Sequence, residues 1–327
     1  MLCQFTVKNY KSIRDEVTFD MQTAAISEHE DRIIKDVDGE MYLPVSSIYG
    51  PNGGGKSNVL AAIHTLVAKI LRPLYATEDN EERAFLQKRI IVEPFAFSNS
   101  KNEPTEFELF FRTDSAEYRY ILHVKRDVVM YESLDRVKLE TGRRSALFTR
   151  DENGVELKGA FAKLKVSEDL SKTLTLLSYL GIAYKGNAVV KDVLNWFEYG
   201  VDFLNYGNPI QELRMAISTS GDVIKHLMLD MIQEMDLDIV DFRVEEKEND
   251  RIEVYTKHLV DDVETELSLS DESSGTKKLF GLLPFIAASL LDGTVLVIDE
   301  LDAKIHPVLL RHIIMMFNDM NIKYEYQ

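Results

Sequence analysis

The chain has 327 residues, 45% hydrophobic and 28% charged, a composition of soluble globular proteins with one large domain or two ordinary ones. Its net charge of −17 argues against a broad basic face for nucleic acid, although a local basic groove stays open. The single cysteine, Cys3, excludes an internal disulfide framework and fits a reducing cytoplasm.

The opening residues Leu2-Cys3-Gln4-Phe5-Thr6-Val7 alternate, turn at Lys8–Ser12 and return through Val17-Thr18-Phe19, the pattern of a hairpin. No apolar segment precedes a cleavage site, so no signal peptide is expected. Val45–Tyr49 reads as a buried strand. Behind it, Gly50-Pro51-Asn52-Gly53-Gly54-Gly55-Lys56-Ser57 fits G-x-x-x-x-G-K-[ST], and an apolar helix follows from Asn58 to Ala68. Strand, glycine loop and helix, in that order, make a phosphate cradle. Successive backbone N–H groups point inward at phosphate oxygens, and the helix N-terminus adds its own attraction for anions. The candidate ligands are Asn52, Gly53, Gly54, Gly55, Lys56, Ser57 and Asn58. Lys56 would reach the β- and γ-phosphates, and the Ser57 hydroxyl would ligate Mg²⁺.

Glu78 to Glu82 is an acidic, solvated stretch. Ile90–Phe97, Thr105–Arg112, Tyr118–Lys125 and Val128–Leu134 read as strands of a half-buried antiparallel sheet. From about 160 to 235 the texture is helical. Leu164, Leu170, Leu174, Leu176, Leu177 and Leu180 recur at mixed spacings, Val190, Val193, Leu194 and Phe197 share one face, and Ile224, Leu227, Leu229 and Ile232 mark another helix. Strand texture returns at Ile239–Val244 and Ile252–Tyr255, with a turn at Lys247–Asp250. Leu279–Leu291 is the longest apolar run; it contains Pro284, stops at Asp292 and is too short to span a bilayer.

Thr294–Ile298 is an unbroken apolar strand ending in Asp299-Glu300, the shape of a Walker B strand buried on both faces of a parallel sheet. Asp299 would hold Mg²⁺ and Glu300 would act as general base on the attacking water. Upstream, Glu272-Ser273-Ser274-Gly275-Thr276 opens the apolar helix with backbone N–H groups and a hydroxyl at its N-terminus, a second anion site shaped like an ABC-type signature.

With these motifs in view the sequence resembles ABC-type ATPases related to the SMC and double-strand-break-repair ATPases. It is most similar to the small AAA-family, ATP/GTP-phosphatase-like proteins of bacterial phage-defence and abortive-infection systems. The stretches that carry the resemblance are Phe5–Ile13, Gly50–Asn58, Pro94-Phe95, Pro104–Glu108, Tyr118–Tyr120, Glu272–Thr276, Ile298–Asp302 and Ile305-His306-Pro307. It implies an α/β P-loop NTPase of ABC/SMC head type, a mixed sheet plus an antiparallel β subdomain, with a helical insertion. The implied domains are an N-terminal ATPase lobe over 1–150, a helical arm over 151–237 and a C-terminal lobe over 238–327. It also implies ATP and Mg²⁺ as ligands, and a homodimer or higher homo-oligomer joined through ATP. Ser273 and Gly275 of one copy would then touch the γ-phosphate held by Lys56 of the other, and Lys11 and Ser12 would lie near the nucleotide. An effector protein, a nuclease or toxin, is the implied partner. Membrane association is not expected.

The chain departs from that pattern twice. No glutamine is well placed for a Q-loop, since Gln87 precedes a strand. After the helix Pro307–Asn318, the residues Asn321–Gln327 are too few for the final strand and its switch histidine, and His306 and His312 come too early to serve. The expectation is a C-terminal lobe one strand short, through truncation, an interrupted gene or completion by a partner. Three functions are compatible with these motifs. One is a dimeric ATPase sensor or scaffold of a defence system. Another is an SMC-like ATPase of DNA repair or chromosome maintenance, and the third is a nucleotide-binding module with little hydrolysis.

Overall fold

A computed structural model describes residues 1–24, 30–76, 90–97, 99–204, 222–235, 238–246, 252–261 and 263–318. The chain forms two compact units, Met1–Val201 and Asp202–Gln327.

The first unit is built on a seven-stranded sheet in the order β2-β1-β5-β6-β7-β8-β9. Its strands are β1 (Leu2–Lys8), β2 (Val17–Asp20), β5 (Thr105–Arg112), β6 (Ala116–Lys125), β7 (Val128–Lys138), β8 (Arg144–Asp151) and β9 (Gly154–Leu157). Every neighbouring pair is antiparallel. A short hairpin, β3 (Ile34–Lys35) with β4 (Met41–Tyr42), lies outside it. Period-two alternation puts Phe5, Val7, Phe107, Leu109, Phe111, Tyr118, Tyr120 and Leu122 on one face, all buried. Three helices cluster with one another and carry the apolar partners of that face: α1 (Lys56–Tyr75), α2 (Leu176–Ala183) and α3 (Ala188–Tyr199). Phe111 stacks on Trp196 of α3 at 4.4 Å between ring centroids. Each such side chain contributes roughly 1.5–3 kcal/mol on burial. The opposite face carries Thr6, Lys8, Glu106 and Glu108, as the half-buried pattern requires.

Glu132 of β7 is fully buried and accepts from the Leu176 and Leu177 amides (2.6 and 3.0 Å) and from the Tyr120 hydroxyl (2.9 Å). A strand carboxylate therefore caps the start of α2, together with Thr175, whose hydroxyl accepts from the Ser178 amide. Arg112 clamps the β3–β4 hairpin through ion pairs to Asp36 (2.7 Å) and Asp38 (2.8 Å).

The second unit holds a three-stranded antiparallel sheet of β11 (Ile239–Glu246), β12 (Ile252–Val260) and β13 (Val263–Ser268). A two-stranded pair joins β10 (Val201–Leu204) to β14 (Val295–Ile298). The helices are α4 (Asp222–Glu234), α5 (Ser274–Asp292) and α6 (Pro307–Asn318). Met228, Ile232, Phe242, Leu279, Phe280, Leu283 and Ile286 lead its core.

Four expectations are corrected. Val45–Tyr49 has no ladder partner among the described residues, and Tyr49 is 88% exposed. A strand buried on both faces needs neighbours along both edges, and the first unit's sheet supplies none there. Ile90–Phe97 forms no strand and ends in a bend. Its backbone bonds run to Lys11, Arg126 and the Asn9 side chain, and Pro94 lacks a donor. Leu164, Leu170 and Leu174 sit in turns ahead of α2, because their mixed spacing makes no continuous helical face. β14 is half-buried along its length, with β10 its one described neighbour. The acidic stretch 78–82, Gln87, the turn at 247–250 and the tail from 319 lie outside the described residues.

Candidate functional site

In the first unit the site begins at Asn9. This buried side chain donates to the carbonyls of Ser100 (2.8 Å), Glu103 (3.1 Å) and Pro104 (3.1 Å) and accepts from the Phe95 amide (3.0 Å). Its own carbonyl accepts from the Thr105 hydroxyl at 2.6 Å. Asn9 and Lys11 both have positive φ (56° and 47°), a tight reversal that asparagine tolerates well. Tyr10, buried beside it, donates to the Ala61 carbonyl (3.2 Å) and bonds the Thr65 hydroxyl (2.8 Å), fixing the turn to α1. The result delivers Ser12 to the glycine loop. Asn58 Nδ2 donates to Ser12 Oγ at 2.7 Å, and a Cβ on Gly55 would stand 3.0 Å from that same oxygen. Lys11 packs over the Tyr10 ring at 5.4 Å.

The loop bends where its glycines allow it: Gly53 has φ 78° and Gly55 φ 90°, a conformation strained for any side-chain-bearing residue. At Gly54 a Cβ would stand 3.0 Å from the Pro51 carbonyl oxygen, a tight approach that would need the loop to give slightly. α1 begins at Lys56 with Gly55 as its N-cap, no side-chain capping bond and no acidic residue in its first turn. By contrast Thr175, Asn187 and Ser273 each cap their helices with a side-chain oxygen. A 20-residue helix whose leading amides have no side-chain acceptor fits a phosphate. Lys56 Nζ lies across the loop, donating to the Gly50 (2.8 Å) and Pro51 (3.1 Å) carbonyls. Ser57 and Asn52 are exposed.

In the second unit Ser273 caps α5, its Oγ accepting from the Thr276 amide at 3.1 Å. Glu272, just before it, is anchored to β12: its Oε1 accepts from the Thr256 hydroxyl (2.5 Å) and lies 2.7 Å from His258 Nε2. The acidic turn follows β14. Asp299 Oδ1 accepts from the Glu300 amide at 3.0 Å. Glu300 and Lys304 both take positive φ, 51° and 65°. The left-handed region costs a non-glycine residue about 1–2 kcal/mol, so this turn persists only where neighbours hold it. Lys278 of α5 does so, its Nζ donating to the carbonyls of Glu300 (2.8 Å), Leu301 (3.1 Å) and Ala303 (2.5 Å). Burial lowers the Lys278 ammonium from the usual lysine value, while the Asp302 and Glu300 carboxylates oppose that shift. Gly275 also lies against the turn, with its missing Cβ 3.4 Å from the Lys304 carbonyl. His306 shapes the start of α6, its Nδ1 accepting from the Val308 amide at 3.3 Å.

Within one unit, then, the structure brings Ser12, Gly55, Lys56 and Asn58 together. In the other it brings Gly275 against the turn that carries Asp299 and Glu300. Sequence reasoning missed three groups. Asn9 and Tyr10 lay inside a quoted motif, but their roles depend on contacts made 50 to 95 positions away. Glu272 has its partners on β12. Lys278 left one signal, a lysine at the point where the helix turns apolar. Among the described residues, no cluster of three or more His, Cys, Asp and Glu side chains is arranged to hold a metal ion. No described helix is long and apolar enough to cross a membrane.

A family model described as "AAA domain, putative AbiEii toxin, Type IV TA system" matches residues 45–325. None of the curated proteins compared matches the chain. Among solved structures, the SmcHead bound to the C-winged helix domain of ScpA is similar at 12% identity and a TM-score of 0.41, over 95% of this chain and 91% of that one.

Proposed function

We propose, because the chain belongs to this AAA-domain family of ATPases, that it binds ATP between two copies of itself and hydrolyses it, as the ATPase subunit of a bacterial anti-phage defence system. The observation that carries the reading is the uncapped start of α1 behind Gly53 and Gly55, with Lys56 across the mouth of the loop. Loop amides and Lys56 hold the β- and γ-phosphates; Ser57 and Asp299 would hold Mg²⁺, whose charge offsets what builds up on the phosphate oxygens. Glu300 takes a proton from water as its oxygen attacks the γ-phosphorus and the bond to the leaving diphosphate breaks. Ser273 and Gly275 of the second copy close the site, since the exposed N-terminus of α5 favours an anion. ATP binds the closed pair better than the open one and so drives association. The family description names a toxin and a toxin–antitoxin system, which supports a partner effector.

The test is sedimentation of the wild type and Glu300→Gln with and without ATP–Mg²⁺. The reading predicts an ATP-dependent dimer that accumulates in Glu300→Gln, and turnover abolished by Lys56→Ala. Monomers throughout would overturn the dimer; turnover untouched by Lys56→Ala would overturn the site.

A further inference from the structure

Lys278 sits five residues beyond Ser273 on the same helix, and its ammonium is directed into the turn that follows β14. Three carbonyl oxygens of one turn converge on it, those of Glu300, Leu301 and Ala303. Carbonyl dipoles aimed at one point repel each other unless a cation lies between them. The same turn holds two non-glycine residues at positive φ, one of them Glu300 itself. Strain of this kind survives where the surroundings over-determine it, and it clusters at functional sites. α5 meets the turn at a second point, where Gly275 lies against the Lys304 carbonyl. Glu272, anchored to Thr256 and His258, fixes the loop before the helix, so the helix start is held from both sides.

We propose that Lys278 is a positioning residue for the general base: it fixes the main chain of Glu300 to the helix whose N-terminus receives the second copy's phosphate. Contact at Ser273 and the aim of the Glu300 carboxylate then become one rigid-body event. This rests on the ATPase reading above and adds to it a coupling element outside the phosphate loop.

The test uses the full chain with Lys278→Met, which keeps the aliphatic stem and removes the donors, and Lys278→Arg, which keeps charge and donors. ATP affinity, single-turnover hydrolysis and amide hydrogen exchange over 299–306 are compared. The methionine variant should keep ATP Kd within about twofold while the chemical step slows by about 100-fold, the scale of a misplaced catalytic group. The Ala303 and Ile305 amides, bonded to the Glu300 and Asp302 carbonyls, should exchange about tenfold faster. The arginine variant should recover part of both. Should the methionine variant not fold, Lys278→Gln carries the same comparison. Unchanged turnover and exchange would overturn the proposal. So would losses of affinity, turnover and α5 protection together, which describe a purely structural lysine. If the wild type shows no turnover sensitive to Lys56→Ala, the ATPase reading fails on its own, while the exchange data still judge the hold on the turn.

Discussion

Gly55→Ala tests the glycine loop at its tightest point. Gly55 has φ 90°, so an alanine there adopts a left-handed backbone, costing about 1–2 kcal/mol. Its Cβ would also stand 3.0 Å from Ser12 Oγ. That hydroxyl is held by Asn58 Nδ2 at 2.7 Å, so moving it breaks a hydrogen bond worth about 0.5–1.5 kcal/mol. Together these come to about 1.5–3.5 kcal/mol, or about 10- to 300-fold in Kd. Residues 51–54 are exposed, so the loop relaxes locally and the cost appears in nucleotide affinity more than in melting temperature. The assay is titration of ATP–Mg²⁺ into wild type, Gly55→Ala, Ser12→Ala and the double variant. Ser12→Ala removes the clashing oxygen, so the double-mutant cycle should return about 1 kcal/mol of coupling and leave the backbone strain. Wild-type affinity in Gly55→Ala, or strictly additive losses, would refute the geometry.

Two further outcomes follow from buried groups. Glu132→Ala strands two helix amides and the Tyr120 hydroxyl in the core. The loss should be about 3–5 kcal/mol, seen as a melting temperature lower by about 6–20 °C; Glu132→Gln, which keeps one acceptor, should lose about half as much. Burial pushes the Cys3 thiol up to about 11 from 9.0. The folded state therefore holds the proton while the unfolded state ionises, so this contribution to stability is full below pH 9 and is lost as pH rises toward 11. At pH 8 about one Cys3 in a thousand is thiolate, so a disulfide reagent should react only after denaturation; fast native labelling would contradict the burial.

Much of this organisation was legible because it rests on local signals. The period-two pattern of Phe107, Leu109 and Phe111 marked β5, and the glycine loop announced α1. The Asp-Glu pair marked the end of β14, and Val190, Val193 and Phe197 share the buried face of α3. What was hidden depends on long-range partners. β8 and β9 carry too little alternation to read alone, and they form because β7 offers a free edge. Val45–Tyr49 has strand-like residues without neighbours to pair with among the described residues. Glu132 looks like any strand glutamate until α2 delivers its amides, 44 and 45 positions later. The hold of Lys278 on the acidic turn spans 22 to 25 positions, beyond any helical or strand spacing.

In the proposed dimer each ATP site is shared between two copies. Lys56→Ala and Ser273→Arg, each inactive alone, should complement when mixed, because a heterodimer keeps one site with an intact loop and an intact signature. Equal mixing of a two-fold symmetric dimer makes half the dimers mixed, each with one working site, so about a quarter of wild-type turnover is expected. Turnover that stays at the level of the single variants, in mixtures confirmed to exchange subunits, would contradict the shared site.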